Sequence, residues 1–128
     1  MSAASFQEPD IVRDVLRDCG RIAVVGLSPK AHRPSHYVSV YMKEAGYEVV
    51  PVNPGHDSLL GERCYPSLSA LPAPPEMVNV FRQSRFVSGL VDEAIALGTK
   101  ALWLQKGVVD EEAARRAEAA GLAVVMDL

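Results

Sequence analysis

The chain has 128 residues, 48% of them hydrophobic and 23% charged, with a formal net charge of -3. That length and composition suit one soluble domain with a buried core and exclude a disordered chain. The mild negative charge gives no general basis for binding nucleic acid or an anionic membrane.

The opening residues, MSAASFQEPD, lack the basic and apolar segments of a signal peptide. No apolar run approaches the roughly 20 residues of a membrane span. Cys19 and Cys64 stand alone, without a second Cys or His at metal-ligand spacing, so neither a zinc site nor a redox pair is expected. A reduced cytoplasmic setting fits this cysteine usage.

Residues 10–19 put Ile11, Val15 and Leu16 on one side of a first helix. A pattern then recurs four times: CGRIAVV, AGYEVVPV, LGTKALWL and AGLAVVM each set a glycine before an apolar run. Gly20, Gly46, Gly98 and Gly121 are expected to end helices in the left-handed conformation. The runs after them are too continuous to be one-sided, as in parallel strands buried on both faces. MVNVF at 77–81 is a fifth such run, reached through the loop LPAPPE.

Ser35 is the expected N-cap of a helix to Ala45. Ser84 opens another helix, with Val87, Leu90, Val91, Ala94 and Ile95 on one face, and Asp110 caps EEAARRAEAA. Alternating strands and helices give an α/β fold, a Rossmann-like three-layer α/β/α sandwich around a mostly parallel sheet of five or six strands. All 128 residues are expected to form one domain, with residues 1–20 leading into it. The 21–26 strand should be central, with 47–52 on one side and 77–81, 100–104 and 122–126 on the other. RCYPSL at 63–68 could add a short edge strand, because the prolines around it confine that region to loop and edge.

Ligands of such sheets bind beyond the carboxyl ends of the strands, where strand order reverses. Four loops form that edge: GLSPKAHRPS, VNPGHD, FRQSR and QKGVV. They carry Lys30, His32, Arg33, Arg82, Arg85 and Lys106, and no acid occurs between Gly26 and Lys43 or between Arg82 and Val91. An acidic chain that gathers cations on its ligand-side loops is built to hold an anion there. Phosphate oxygens would meet the unpaired N–H groups at the start of the 35–45 helix, where the dipole favours negative charge. Gly26 would let the backbone approach closely, and Ser28 offers a hydroxyl.

GLSPKA is not a dinucleotide fingerprint, which needs three glycines, and PVNPG lacks the acid that holds an NAD ribose. No GK[ST] phosphate loop occurs. His32 and His36 have Pro34 between them and no third ligand, so no metal site is expected. Ser28 and Ser84 lack the surroundings of a nucleophile. Trp103, Tyr37, Tyr41 and Tyr47 are expected to be packing residues.

With these loops assembled, the sequence resembles the CoA-binding domain family, the module that opens the succinyl-CoA synthetase α subunit and the ADP-forming acyl-CoA synthetases. It looks most like the small stand-alone members. The resemblance rests on IAVVGLS, RPSHYVSVYMKEAGYEVVPVNP, YPSLSALP, VNVFRQS, EAIALGTKALWLQKGV and AGLAVVMDL, in the family's order. Where the family commonly has Gly-Ala-Ser, this chain has Gly26-Leu27-Ser28, which would put a larger side chain beside the ligand.

The resemblance implies coenzyme A, free or acylated, at the carboxyl edge of the sheet. Its pyrophosphate would lie on Gly26, Leu27 and Ser28 and the helix start at Pro34 and Ser35, helped by Lys30 and Arg33. Adenine and ribose would cross Val52, Asn53 and Pro54. The pantetheine arm would pass Phe81, Arg82 and Ser84 toward Gln105 and Gly107. The phosphohistidine and ATP-grasp domains of the synthetases have no counterpart here, so the expectation is a carrier, sensor or accessory subunit without catalytic residues. It would serve an acyl-CoA-metabolising enzyme, with no nucleic-acid or membrane partner. The alternatives are a small NADP-linked oxidoreductase, against which the missing glycines count, and an interaction module without a ligand.

Overall fold

The computed structural model describes residues 6–128, so half of the opening decapeptide lies outside the described residues. Strands β1 (Arg21–Val25), β2 (Glu48–Val52), β5 (Met77–Val80), β6 (Ala101–Leu104) and β7 (Ala123–Met126) form one sheet in the order β2-β1-β5-β6-β7. All four pairings are parallel. Parallel strands need long crossovers, and helices α1 (Pro9–Asp18), α2 (Pro34–Glu44), α3 (Val87–Leu97) and α4 (Glu111–Ala119) cover the two faces. A two-stranded hairpin, β3 (Ser58–Leu59) with β4 (Glu62–Arg63), hangs off the β2 side.

Strand side chains alternate between the two faces. Ala23, Val25, Val78, Val80, Leu102 and Leu104 point into a core shared with Val87 and Val91 of α3 and Ala113, Ala114 and Ala117 of α4. Ile22, Val24, Met77 and Ala101 face the other way, among Val15 of α1, Cys19 just after it and Met42 of α2. Both faces are thus covered, which is why the strands read as continuous apolar runs. Val87, Val91 and Ala94 are buried on α3 as the helical spacing predicts, and the Asp110 carboxylate accepts from the Ala113 N–H at 3.0 Å.

Three local expectations are corrected. Gly46, Gly98 and Gly121 have positive φ, but Gly20 does not. Helix α1 ends at an extended Cys19, and Gly20 instead donates its N–H to Glu76 Oε1 at 2.9 Å. RCYPSL forms no strand at Tyr65; only an isolated parallel bridge joins Val52 and Tyr65, because Pro66 interrupts any longer ladder. Ser35 is not the N-cap of α2: Arg33 holds that place, Pro34 takes the first helical position, and Ser35 is buried in the first turn.

The topology places the site. From β1 the chain moves outward to β2 and later returns to β5 on β1's other side. The loop after β1 leads into α2 on one face, and the loop after β5 leads into α3 on the other. These loops diverge at the carboxyl end of β1 and open a crevice at the switch point.

Candidate functional site

Gly26 is the hinge of the crevice. Its N–H donates to Val52 O at 2.9 Å, and its φ of 87° is left-handed. A Cβ built there would lie 2.8 Å from the Phe81 carbonyl oxygen and 3.0 Å from Arg82 Cδ. The glycine is therefore required by the neighbouring loop, whatever room it also leaves for a ligand.

Beyond Gly26 the loop is held by its own serines. Ser28 donates its N–H to Ser35 Oγ at 2.9 Å, and Lys30 donates its N–H to Ser28 Oγ at 3.1 Å. The Ser28 carbonyl is 2.9 Å from His36 Nδ1, which ties His36 to this turn. Ser35 thus anchors the loop from inside the helix. The result is a cradle of about 300 Å³ lined by Gly26, Ser28, Lys30, Arg33, Pro34, Ser35 and Phe81. It sits on the first turn of an 11-residue helix, where Pro34 has no N–H and the His36 and Tyr37 N–H groups already donate to Arg33 O, so the helix dipole, more than free donors, favours negative charge there. No acid lines it, so two cations and a helix terminus act together on whatever enters.

A larger cleft of about 620 Å³ continues from the cradle, sharing Pro34 and Phe81 with it. Tyr37 and Val38 of α2 form one wall; Arg82, Gln83, Gln105, Lys106 and Gly107 form the others. The Arg82 guanidinium lies 4.1 Å from the Phe86 ring centroid and Arg85 lies 4.6 Å from it, a stack that stiffens both cations. Gln105 Nε2 donates to Asn79 Oδ1 at 2.6 Å, and Asn79 is buried in the sheet. Asp127, itself at a φ of 61°, accepts from the Gly107 N–H at 2.6 Å and so fixes the 105–107 turn.

The structure brings Gly26, Ser28, Lys30, Arg33, Pro34, Ser35, Phe81, Arg82, Gln105 and Gly107 to this joined cavity. Five expected residues stand apart from it. The Leu27 side chain is fully buried among Ile22, Val24 and Val49, not beside the crevice, so the exchange of alanine for leucine is a core matter. Val52 is buried in the opposite core, and Asn53 Nδ2 donates to Leu27 O at 2.8 Å. Pro54 is exposed but lines neither cavity. Ser84 Oγ accepts from the Val109 N–H at 2.9 Å, which fastens the β6 loop to the start of α3.

Tyr37 and Val38 were missed as lining residues. Tyr37 is 54% exposed and Tyr41 72% exposed, so neither is the packing residue expected; helical spacing alone does not say which face a short helix buries. Tyr47 does pack, and donates its hydroxyl to Leu16 O at 2.6 Å.

Among the described residues no cluster of His, Cys, Asp and Glu could hold a metal ion. Burial pushes the thiols of Cys19 and Cys64 up, so both stay protonated and poorly nucleophilic at neutral pH. No helix among the described residues is long and apolar enough to cross a membrane.

Residues 20–128 match the family model described as a CoA binding domain, and the chain belongs to that family. It is 42% identical over 117 residues to the uncharacterized protein YneT of Bacillus subtilis (strain 168), covering 91% of this chain and 87% of that one. A hypothetical protein from Pyrococcus horikoshii OT3 has a similar structure, with a TM-score of 0.87 and 36% identity over 99% of this chain and 85% of that one. The dinucleotide-forming acetyl-coenzyme A synthetase 1 of Ca. Korarchaeum cryptofilum contains a similar region. The TM-score is 0.78 at 26% identity, covering 90% of this chain and 28% of that one.

Proposed function

We propose that this member of the CoA-binding domain family binds coenzyme A in the switch-point crevice. The observation that carries the reading is the cradle, where Lys30 and Arg33 meet the first turn of α2 with no acid among the lining residues. The pyrophosphate lies on the Gly26–Ser28 turn and the Ser35 end of the helix. The pantetheine arm follows the adjoining cleft past Phe81 and Arg82 toward Gln105 and Gly107. Pro54, the exposed member of the 52–54 triplet, borders the adenosine end.

CoA suits this edge better than NAD does. A ribose diol calls for a carboxylate after β2, and the residue there is the uncharged Asn53, whose Nδ2 donates to Leu27 O. CoA's extra phosphate calls for cations, and the rim supplies them. The protein acts by holding and presenting CoA, as a carrier, sensor or accessory subunit for an acyl-CoA-metabolising enzyme.

Calorimetric titration with CoA, pantetheine and NADPH tests the reading. CoA should bind with an affinity that falls as salt rises, while pantetheine and NADPH bind poorly. Equal binding of pantetheine and CoA would remove the phosphates from the recognition. Tighter binding of NADPH would overturn the ligand.

A further inference from the structure

The cleft does not end at Gln105. Val38 and Gln105 also border a groove of about 280 Å³ that runs between α1 and α2 across the exposed part of the second sheet face. Its walls are Leu16, Met42, Met77, Trp103 and Leu128, together with Val38. No charged side chain lines it. At the junction stand two amides, Asn79 and Gln105, joined by the bond from Gln105 Nε2 to Asn79 Oδ1. That bond uses one of the two Nε2 hydrogens and leaves the Gln105 carbonyl oxygen available. Trp103 is fixed beside them, with its indole N–H donated to Leu128 O at 2.9 Å.

The three cavities are neighbours that share wall residues. Pro34 and Phe81 join the cationic cradle to the cleft, and Val38 and Gln105 join the cleft to the apolar groove. Along this path the lining changes from cations to mixed surface, then to an amide pair, then to hydrocarbon. A ligand with phosphates at one end, an amide-containing arm and an apolar tail on a thioester has that same order of groups.

We infer that the groove between α1 and α2 receives the acyl chain of an acyl-CoA, with the Asn79–Gln105 pair beside the thioester. The inference rests on the CoA reading above. It makes a short to medium apolar acyl-CoA the preferred ligand over free CoA. Burial of one methylene is worth about a fourfold gain in affinity, so a chain of several carbons lying in an open groove should gain tenfold or more.

The test compares CoA with hexanoyl-CoA by calorimetry and by the emission of Trp103, the chain's only tryptophan. Hexanoyl-CoA should bind at least tenfold more tightly and shift the emission to shorter wavelength, while CoA leaves it nearly unchanged. Leu16 is 40% exposed, so Leu16→Glu should fold and put a charge at the groove wall. It should abolish the hexanoyl preference and leave CoA affinity as in the wild type. Met42→Phe, which fills the groove with an apolar group, should have the same effect if Leu16→Glu fails to fold.

Equal binding of CoA and hexanoyl-CoA by the wild type would overturn the acyl groove and leave the CoA reading intact. A hexanoyl preference that survives a folded groove variant would place the chain elsewhere and also overturn it. Failure of both ligands to bind would bring down the CoA reading and the groove with it.

Discussion

Both edges of the sheet carry cations, but only one of them pairs those cations with acids. At the amino edge, Arg21 pairs with Glu48 at 2.8 Å and Lys100 with Glu76 at 3.7 Å, around a shallow hollow that also includes Gly20 and Gly46. The Glu76 carboxylate accepts from the N–H groups of both Gly20 and Arg21. At the carboxyl edge, Lys30, Arg33, Arg82, Arg85 and Lys106 have no ion pair among the described residues. Helix-borne Arg13, Arg17 and Arg116, by contrast, are all paired. The net charge of the chain hides this division. One edge cancels its charge internally, and the other leaves its charge uncompensated.

The glycines of the two edges give the largest expected difference. Gly46 has a φ of 100° with nothing within 4 Å of a built Cβ, so Gly46→Ala should cost about 1–2 kcal/mol of left-handed strain. Gly26 adds a steric conflict with Phe81, and overpacking costs roughly 1–3 kcal/mol more. Gly26→Val should therefore lower stability by about 2–5 kcal/mol in urea unfolding. A Gly26→Val protein as stable as Gly46→Ala would show that the 81–82 loop yields freely.

Cation removal should separate the edges by function. Charge-assisted hydrogen bonds contribute roughly 1.5–3 kcal/mol each, so Arg33→Ala should weaken CoA about ten- to a hundredfold. Arg33→Lys keeps the charge but loses the planar fork and should fall between. Pantetheine binding should hardly change in either variant. Arg21→Ala at the amino edge should leave CoA affinity alone and lower stability by at most about 1 kcal/mol, as exposed pairs do. Equal effects of Arg33→Ala and Arg21→Ala on CoA would erase the functional difference between the edges. Exposed charges act over about 8 Å at physiological ionic strength, so the loss on Arg33→Ala should shrink as salt is added.

The smallest effect is a pH dependence of stability. Backbone N–H groups of Arg21 and Gly20, and then Lys100, hold the Glu76 carboxyl below the usual glutamate range. A lowered folded-state pKa means that this contribution is whole above the unfolded-state pKa. It fades as pH falls below that value and is gone below the folded-state pKa. Glu76→Gln should therefore lose less stability than the wild type between neutral and acid pH. Identical slopes for the two proteins in thermal melts across that range would show that Glu76 is not differentially stabilised by folding.

The fold was largely legible because each strand carries its own evidence. The continuous runs at Ile22–Val25 and Leu102–Leu104 have only one environment that suits them, a sheet covered on both sides, and the structure supplies it. The cationic loops were legible for a similar reason, since parallel topology sends every strand end to the same edge. Individual contacts were not. Leu27 sits between two candidate ligand residues in sequence, yet its side chain turns into the core. Ser35 is a cap-forming residue type, but the helix starts two residues earlier, with Arg33 at the cap and Pro34 in the first helical position, and the Ser35 hydroxyl accepts from the Ser28 N–H instead.

By itself, then, the sequence determined the strands, their order and the edge at which cations gather, because periodicity and charge spacing are local properties that topology only sums. Tertiary structure alone decided why Gly26 must be glycine, which cations stay unpaired and how Val38 and Gln105 join the cleft to the apolar groove. Those features depend on distances between loops from different strands. Phe81 comes within 3 Å of Gly26's missing Cβ only because β5 lies next to β1 in the folded sheet.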